Sequence, residues 1–369
     1  MWFKLHAGPG PRKQLAVNRT ATVPKGPAAL VKGIRRATIV DVGLMAGVSI
    51  KTVSRVFNDA PNVSDAVRKR VREAAQELDY HPNVFAQGLV RRRSHLIGLL
   101  YENPSPSYVV ELQMGVLDRL RLARYRLVVI PVSSVQDRAA EVVGLLRSAA
   151  LDGVVLAPPA SDNPRILADL TAAGIRFARI APTQDLEAGP SNLVDDVAAG
   201  REIAEHLLGL GHVSIAVIMG DPTHASSAAR MIGYRQAFDA AGVILDPLMV
   251  EPGLFTRASG HEAASRLFDR KAGMTAILAQ NDDMAVGALM AARERGLSVP
   301  EDISIVGFDD SEVSRITWPR LTTVRQPVFE MAASAADMVV AQLDGTPVTM
   351  RQDHPHTLLI RESSGPPRR

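Results

Sequence analysis

Apolar residues recur along this chain with two different periods, and the change between them falls near residue 95. From Thr38 the spacing is helical: Ile39, Val42 and Ala46 share one face of a segment that Thr38 can cap and Gly47 can close. Ser49 can cap a second segment with Val53, Val56 and Phe57 inward at i, i+3 and i+4. Its opposite face carries Ile50, Lys51, Thr52 and Arg55, and Asn58-Asp59-Ala60-Pro61 then breaks the chain. Ser64 can cap a third segment, with Val67, Val71, Ala74, Ala75 and Leu78 inward and Arg68, Lys69, Arg70 and Arg72 outward. Two short helices meeting at a glycine, followed by a third, predict an all-α helix-turn-helix head over 37–82. Residues 83–95 form a joint. Its core, Val84 to Val90, contains Gly88, which costs roughly 1 kcal/mol in a helix. Because nucleation is also unfavourable, this piece should be helical only where something holds it.

After Ser94 the texture becomes α/β. Leu96–Tyr101, Arg126–Val132, Gly153–Ala157, Val213–Met219, Thr275–Ala279 and Ile303–Gly307 are short buried-strand runs, and each but the last precedes a helical pattern. Such alternation predicts parallel, doubly wound sheets, and about 270 residues suit two sheets with a cleft between them. Ligands in such folds sit beyond the carboxyl ends of the strands. The candidate site stretches are therefore Asn103 to Tyr108, Gly220 to Arg230, Asn281-Asp282 and Phe308-Asp309.

Charge sharpens this division. Residues 1–95 hold 17 Lys and Arg against 6 Asp and Glu, a net of +11, while the remainder holds 25 against 33, a net of −8. A split of that kind says the first quarter meets a polyanion and the body does not. Residues 1–36, with Gly-Pro-Gly-Pro and scattered basic residues, show no apolar period and read as a disordered basic extension. There is no cysteine, which rules out disulfides and thiolate chemistry and suits a cytoplasmic protein. No apolar run approaches the ~20 residues of a membrane span.

Enzyme chemistry finds no foothold. Walker, Gly-x-Gly-x-x-Gly and Gly-x-Ser-x-Gly patterns are absent, and His261-Glu262 lacks the second histidine of a zinc helix. Asp282-Asp283 and Asp309-Asp310 are neighbours in sequence, which does not by itself make an acid–base couple across a substrate. No catalytic residue, metal or cofactor is expected.

Ala46-Gly-Val-Ser49, Thr52-Val-Ser-Arg-Val56, Leu78-Asp-Tyr-His-Pro-Asn83 and Ala86-Gln-Gly-Leu89 resemble the head and hinge of the LacI/GalR family of bacterial transcription repressors. In the body, Arg230-Met-Ile-Gly-Tyr-Arg235, Ala279-Gln-Asn-Asp282, Asp302 to Asp310 and Leu321-Thr-Thr-Val-Arg-Gln326 continue the resemblance in the family's order. It implies a homodimer on a pseudo-palindromic operator, near the nucleoid, with a body like periplasmic sugar-binding proteins. The family's three crossings would give one lobe 96–192 and 326–345, the other 193–324 and 346–362, with 363–369 a disordered tail. Carried over, Ile50, Lys51, Thr52 and Arg55 face the major groove, and Asn58, Tyr80 and Asn83 contact phosphates. Leu89, with Ala86, enters the minor groove as a wedge. Arg230, Asn281 and Asp309 line the effector cleft, and Tyr108 or Phe255 can stack on a sugar. A carbohydrate inducer is the first expectation; a purine-like corepressor, or action as an activator, stays open.

Three departures stand out. Tyr101 to Tyr108 replaces the family's usual sequence after the first strand, Gly43 takes the place of an alanine, and Gly88 that of a serine or glutamine. No heptad repeat follows Arg361, so a dimer is expected rather than a tetramer.

Overall fold

The computed structural model describes residues 37–57, 60–80, 93–102, 105–270 and 273–368. Asn58, Asn83, Ala86 and Leu89 lie outside the described residues, as does the 1–36 extension. The chain forms two compact units that divide at Pro82.

In the head, α1 (Ile39–Ala46) begins in a capping box between Thr38 and Asp41 and ends at Gly47, whose φ of 64° is left-handed. Ser49 Oγ accepts from Thr52 N at 3.1 Å and so caps α2 (Ile50–Phe57). Ser64 precedes α3 (Asp65–Glu77) in extended backbone but makes no side-chain cap hydrogen bond. Val42, Ala46, Val53, Val56, Val71, Ala74 and Ala75 form one small core, as the i, i+3, i+4 pattern required. Arg68 departs from the outward face: its Nε donates to Val63 O at 3.2 Å and Nη2 to Ala60 O, which staples the preceding loop.

The body opens with β1 (Leu96–Tyr101), α4 (Pro106–Leu120), β2 (Arg126–Pro131), α5 (Val135–Ser148), β3 (Gly153–Leu156), α6 (Pro164–Ala173), β4 (Arg176–Ile180) and β5 (Ser191–Leu193). It continues with α7 (Asp196–Gly209), β6 (Ile215–Met219), α8 (Ala225–Ala240), β7 (Val250–Pro252), α9 (Arg257–Asp269), β8 (Ala276–Ala279), α10 (Asp282–Glu294) and β9 (Ser304–Val306). The chain closes with α11 (Glu312–Ile316), β10 (Thr323–Arg325), α12 (Val328–Asp344), β11 (Arg351–Asp353) and β12 (Thr357–Leu359). One sheet runs β11-β5-β4-β3-β1-β2 and a second β7-β6-β8-β9, each pairing parallel, while β10 and β12 form an antiparallel ribbon. All six expected strands are present, shortened by up to two residues at their ends. Both sheets are covered on both faces. Ile97, Leu99 and Val155 meet α4 and α12, while Leu100, Val154 and Leu156 meet α5 and α6. This two-sided burial is why the strands read as apolar runs rather than alternating ones.

Two expectations are corrected. Residues 346–362 do not all belong with the second lobe, because β11 pairs with β5 in the first sheet and only β12 returns to the second lobe's ribbon. The tail is seated rather than disordered. Ser363 is fully buried, its Oγ accepting from Thr322 N at 2.8 Å, and Gly365 O lies 2.8 Å from His212 Nε2. The physical reason is the same in both cases: backbone pairing with distant partners leaves no local period.

One close approach prepares the site. A Cβ on Gly233 of α8 would lie 2.1 Å from Val197 O, and one on Gly200 of α7 would lie 2.7 Å from Arg230 O. Only glycine lets these helices touch backbone to backbone, and that contact carries Arg230 to the start of α7.

Candidate functional site

On the head, the four α2 residues that the sequence singled out share the solvent side. Ile50 is 48% exposed, Lys51 and Arg55 are exposed and Thr52 is half-buried, while Val53 and Val56 point into the core. A short helix held from behind, with a cationic outer face, is the form a recognition helix takes. The Tyr80 ring packs on Phe57 at 5.8 Å between centroids, and burial raises its phenol pKa further above neutrality.

In the body, a cleft lies beyond the carboxyl ends of strands from both sheets. Tyr108, Arg230, Phe255, Asn281 and Asp309, the five expected effector residues, all line it. So do Ser105, His224 and Ser226, which fall in the strand-end stretches singled out from the sequence. Pro158, Ala181, Asp196 and Gln326 were not anticipated. Gln326 carried a signal, since it ends a quoted motif, and Asp196 follows β5, a strand too short to read.

The walls differ in chemistry. From the first lobe come Tyr108, Pro158, Ala181 and Ser105, mostly apolar; from the second come Arg230, Asp196, Asn281, His224, Ser226 and Asp309, with Phe255 its one apolar side chain here. Arg230, 4% exposed, donates from Nε to Asp196 at 2.8 Å and from Nη1 to Gln280 O, and lies 3.6 Å over the Phe308 ring. Burial alone would lower its pKa, but Asp196 and Asp309 outweigh it and hold the guanidinium charged. Nη2 has no hydrogen-bond partner among the described residues. Asn281 caps α10 through Oδ1, accepting from Met284 N at 2.9 Å, and donates from Nδ2 to Phe255 O at 3.0 Å. Its amide thus fixes the Phe255 loop, whose φ of 57° is left-handed, and keeps one N–H for a ligand.

Asp309 sits at φ 113°, its Oδ1 accepting from Gln326 Nε2. Burial pushes its carboxyl up to about 7, although Arg230 opposes this. Burial also raises Asp282 and lowers His224, leaving that imidazole neutral at pH 7. Side chains also tie the lobes together here: His224 Nε2–H donates to Glu102 O at 3.1 Å, and Ser105 Oγ donates to Asp283 at 2.5 Å.

Asp309 makes a stability prediction. An acid raised from 3.8 to about 7 contributes stability that is full below pH 4 and lost as pH climbs through 7. Asp309→Asn keeps the neutral shape, so its melting temperature should gain on the parent protein between pH 4 and 7 and level above. The expected lead at pH 8 is up to about 10 °C, since a shift of this size corresponds to about 4 kcal/mol. Parallel curves across that range would show that the buried carboxyl does not titrate there.

Among the described residues no cluster of three or more His, Cys, Asp or Glu could hold a metal, and no helix is long and apolar enough to cross a membrane. Residues 38–83 match the model of bacterial regulatory proteins of the lacI family, and residues 204–364 the periplasmic binding protein-like domain. The HTH-type transcriptional regulator DegA of Bacillus subtilis (strain 168) is 36% identical over 300 residues, covering 81% of this chain and 89% of its own. A transcriptional regulator CelR–cellobiose complex superposes with a TM-score of 0.67 at 31% identity, covering 89% of this chain and 100% of that one. The lac repressor dimer bound to operator and the anti-inducer ONPF gives 0.78 at 29% identity, covering 90% and 100%. The relatives are DNA-binding transcriptional regulators and not enzymes, which agrees with a basic head and a body lacking catalytic motifs. With both parts matched in order and a relative 36% identical over 81% of its length, this chain belongs to the LacI family of bacterial regulatory proteins.

Proposed function

We propose that this regulator is a cytoplasmic homodimeric repressor that holds a pseudo-palindromic operator and releases it when a carbohydrate enters the body's cleft. The observation that carries this reading is the two-sided cleft. Hydrogen-bonding groups of Arg230, Asn281 and Asp309 face an apolar wall with Tyr108 and Pro158, and Phe255 stands beside them. A pyranose has that same division, hydroxyls at its edge and C–H groups on its face. The cellobiose complex of CelR supports the class. The expected mechanism is linkage: ligand draws the lobes together, and the 83–95 joint passes the change to the head. By reciprocity, operator must weaken ligand binding as much as ligand weakens operator binding, typically by about 1–3 kcal/mol.

Two exposed apolar patches support dimerisation. Val110, Met114 and Leu117 line one exposed stripe of α4, and Ile316 and Trp318 stand out beside α10, Trp318 being 89% exposed. Met290 of α10 lines one depression with Pro106 at the start of α4 and another with Trp318. A second copy of this chain is the proposed occupant, as the dimeric solved relative supports.

Operator competition tests the whole reading. Sugars that raise the melting temperature should release a fluorescent operator; release failing while a purine tightens binding would favour a corepressor. Within the head, Arg55→Ala should relax base preference at one half-site position by roughly 1–3 kcal/mol, measured on a panel of substituted operators. A uniform loss over the panel would make Arg55 a phosphate contact instead.

A further inference from the structure

The cleft is short of available positive charge, and this inference rests on the effector-cleft reading above. Among the described residues Arg230 is the one Lys or Arg that lines it, and its charge is already matched by Asp196 at 2.8 Å. The next arginines on the Asp309 side are also taken: Arg315 is held by Asp310 at 2.8 Å and Arg325 by Glu330 at 3.3 Å. Against them stands Asp309, with Oδ1 on Gln326 and Oδ2 without a partner among the described residues, while the nearby Asp283 is itself faced by Arg257 and held by Ser105. Behind lies the wholly enclosed Asp282, hydrogen-bonded to Ser311 and Thr323. The histidine of the cleft, His224, is kept neutral by burial.

An incoming phosphate would bring two charges to this wall, in surroundings where screening is weak. It would meet one compensated guanidinium and at least one carboxylate that burial already makes reluctant to ionise. Arg230 Nη2 remains free to donate to a hydroxyl or carbonyl oxygen, a bond that needs no ligand charge. An ammonium reverses the balance, because Asp309 Oδ2 can accept from it and its charge favours the ionised carboxylate. We infer that the cleft is built for an effector without phosphate or carboxylate, and that it accepts an ammonium substituent at the Asp309 end.

The test is a panel of matched series on the full-length protein, screened by thermal shift and measured by calorimetry at pH 7.5. Each hexose series contains the free sugar, its 2-amino and 6-amino forms and its 6-phosphate; adenine with AMP and guanine with GMP make two more. In whichever series binds, the uncharged member should bind at least 10-fold tighter than the phosphate, and the better amino form should match or exceed the parent. A phosphate that binds as well as its parent overturns the inference while leaving the carbohydrate reading intact. A series whose two amino forms are both 10-fold weaker than the parent overturns the ammonium clause. If a free base binds over its nucleotide and no sugar binds, the carbohydrate reading fails and the charge selection stands. Silence in every series overturns both. Asp309→Asn should remove the amino form's advantage, and an unchanged ratio would show that Asp309 does not set it.

Discussion

Replacing Arg230 with alanine should lower the melting temperature by on the order of 10 °C and abolish release of operator by ligand. The size follows from what is left behind. Asp196 is 6% exposed and loses its 2.8 Å partner, while Gln280 O loses a charged donor and the Phe308 ring its cation. Breaking one side of a buried ion pair typically costs about 3–5 kcal/mol, because the remaining charge stays desolvated. The same principle supplies a control, since replacing both partners by apolar groups of similar size is often neutral. Arg230→Met with Asp196→Leu should therefore recover much of the melting temperature yet stay blind to ligand. If the double variant responds to ligand like the parent, Arg230 holds the scaffold and does not touch the effector. If the single variant melts like the parent, the pair contributes nothing.

Glutamates at Met114 and Trp318 together should yield a monomer that keeps its fold and loses operator affinity by roughly 10²–10⁴-fold. Both side chains are exposed, so their replacement removes no core contact. What disappears is the second head. Two half-sites bound by one dimer gain from the high effective concentration of the second head once the first is seated. Sedimentation velocity reads the first effect and a full-operator titration the second, with a single half-site as reference. A dimer that persists places the interface elsewhere, and a monomer with undiminished affinity for the full operator would mean that paired heads are not needed.

Much of the cleft was legible because strand ends advertise themselves. Runs such as Ile215–Met219 and Ala276–Ala279 are apolar enough to be read from the chain, and the polar residues just beyond them become candidates. The stretches holding Ser105, His224, Arg230, Asn281 and Asp309 were found that way, and the resemblance singled out the last three. Pro158 and Ala181 were missed because an apolar wall looks like any other loop in sequence. Arg68 was misplaced for a related reason: a helical wheel puts it outside, and only the return of the Ala60–Val63 loop offers its guanidinium carbonyls to bind.

The chain by itself determined its periods, its punctuation and its charge. Three helices about Gly47, six apolar runs each long enough to be a strand, and a net +11 head on a net −8 body are local properties, carried by neighbours within a few residues. From these the two-part architecture and the outward, cationic side of α2 could be read. Tertiary structure decided what depends on partners far apart. It sent β11 back to the first sheet, seated the 363–368 tail under β9, and drew Arg230 onto Asp196 through the close contact of Gly233 and Gly200. It also pushed the Asp309 carboxyl up to about 7, by enclosing a group whose sequence neighbours say nothing of burial. Pairing of short strands, desolvation and the matching of buried charges are sums over the whole fold, so no window of sequence contains them.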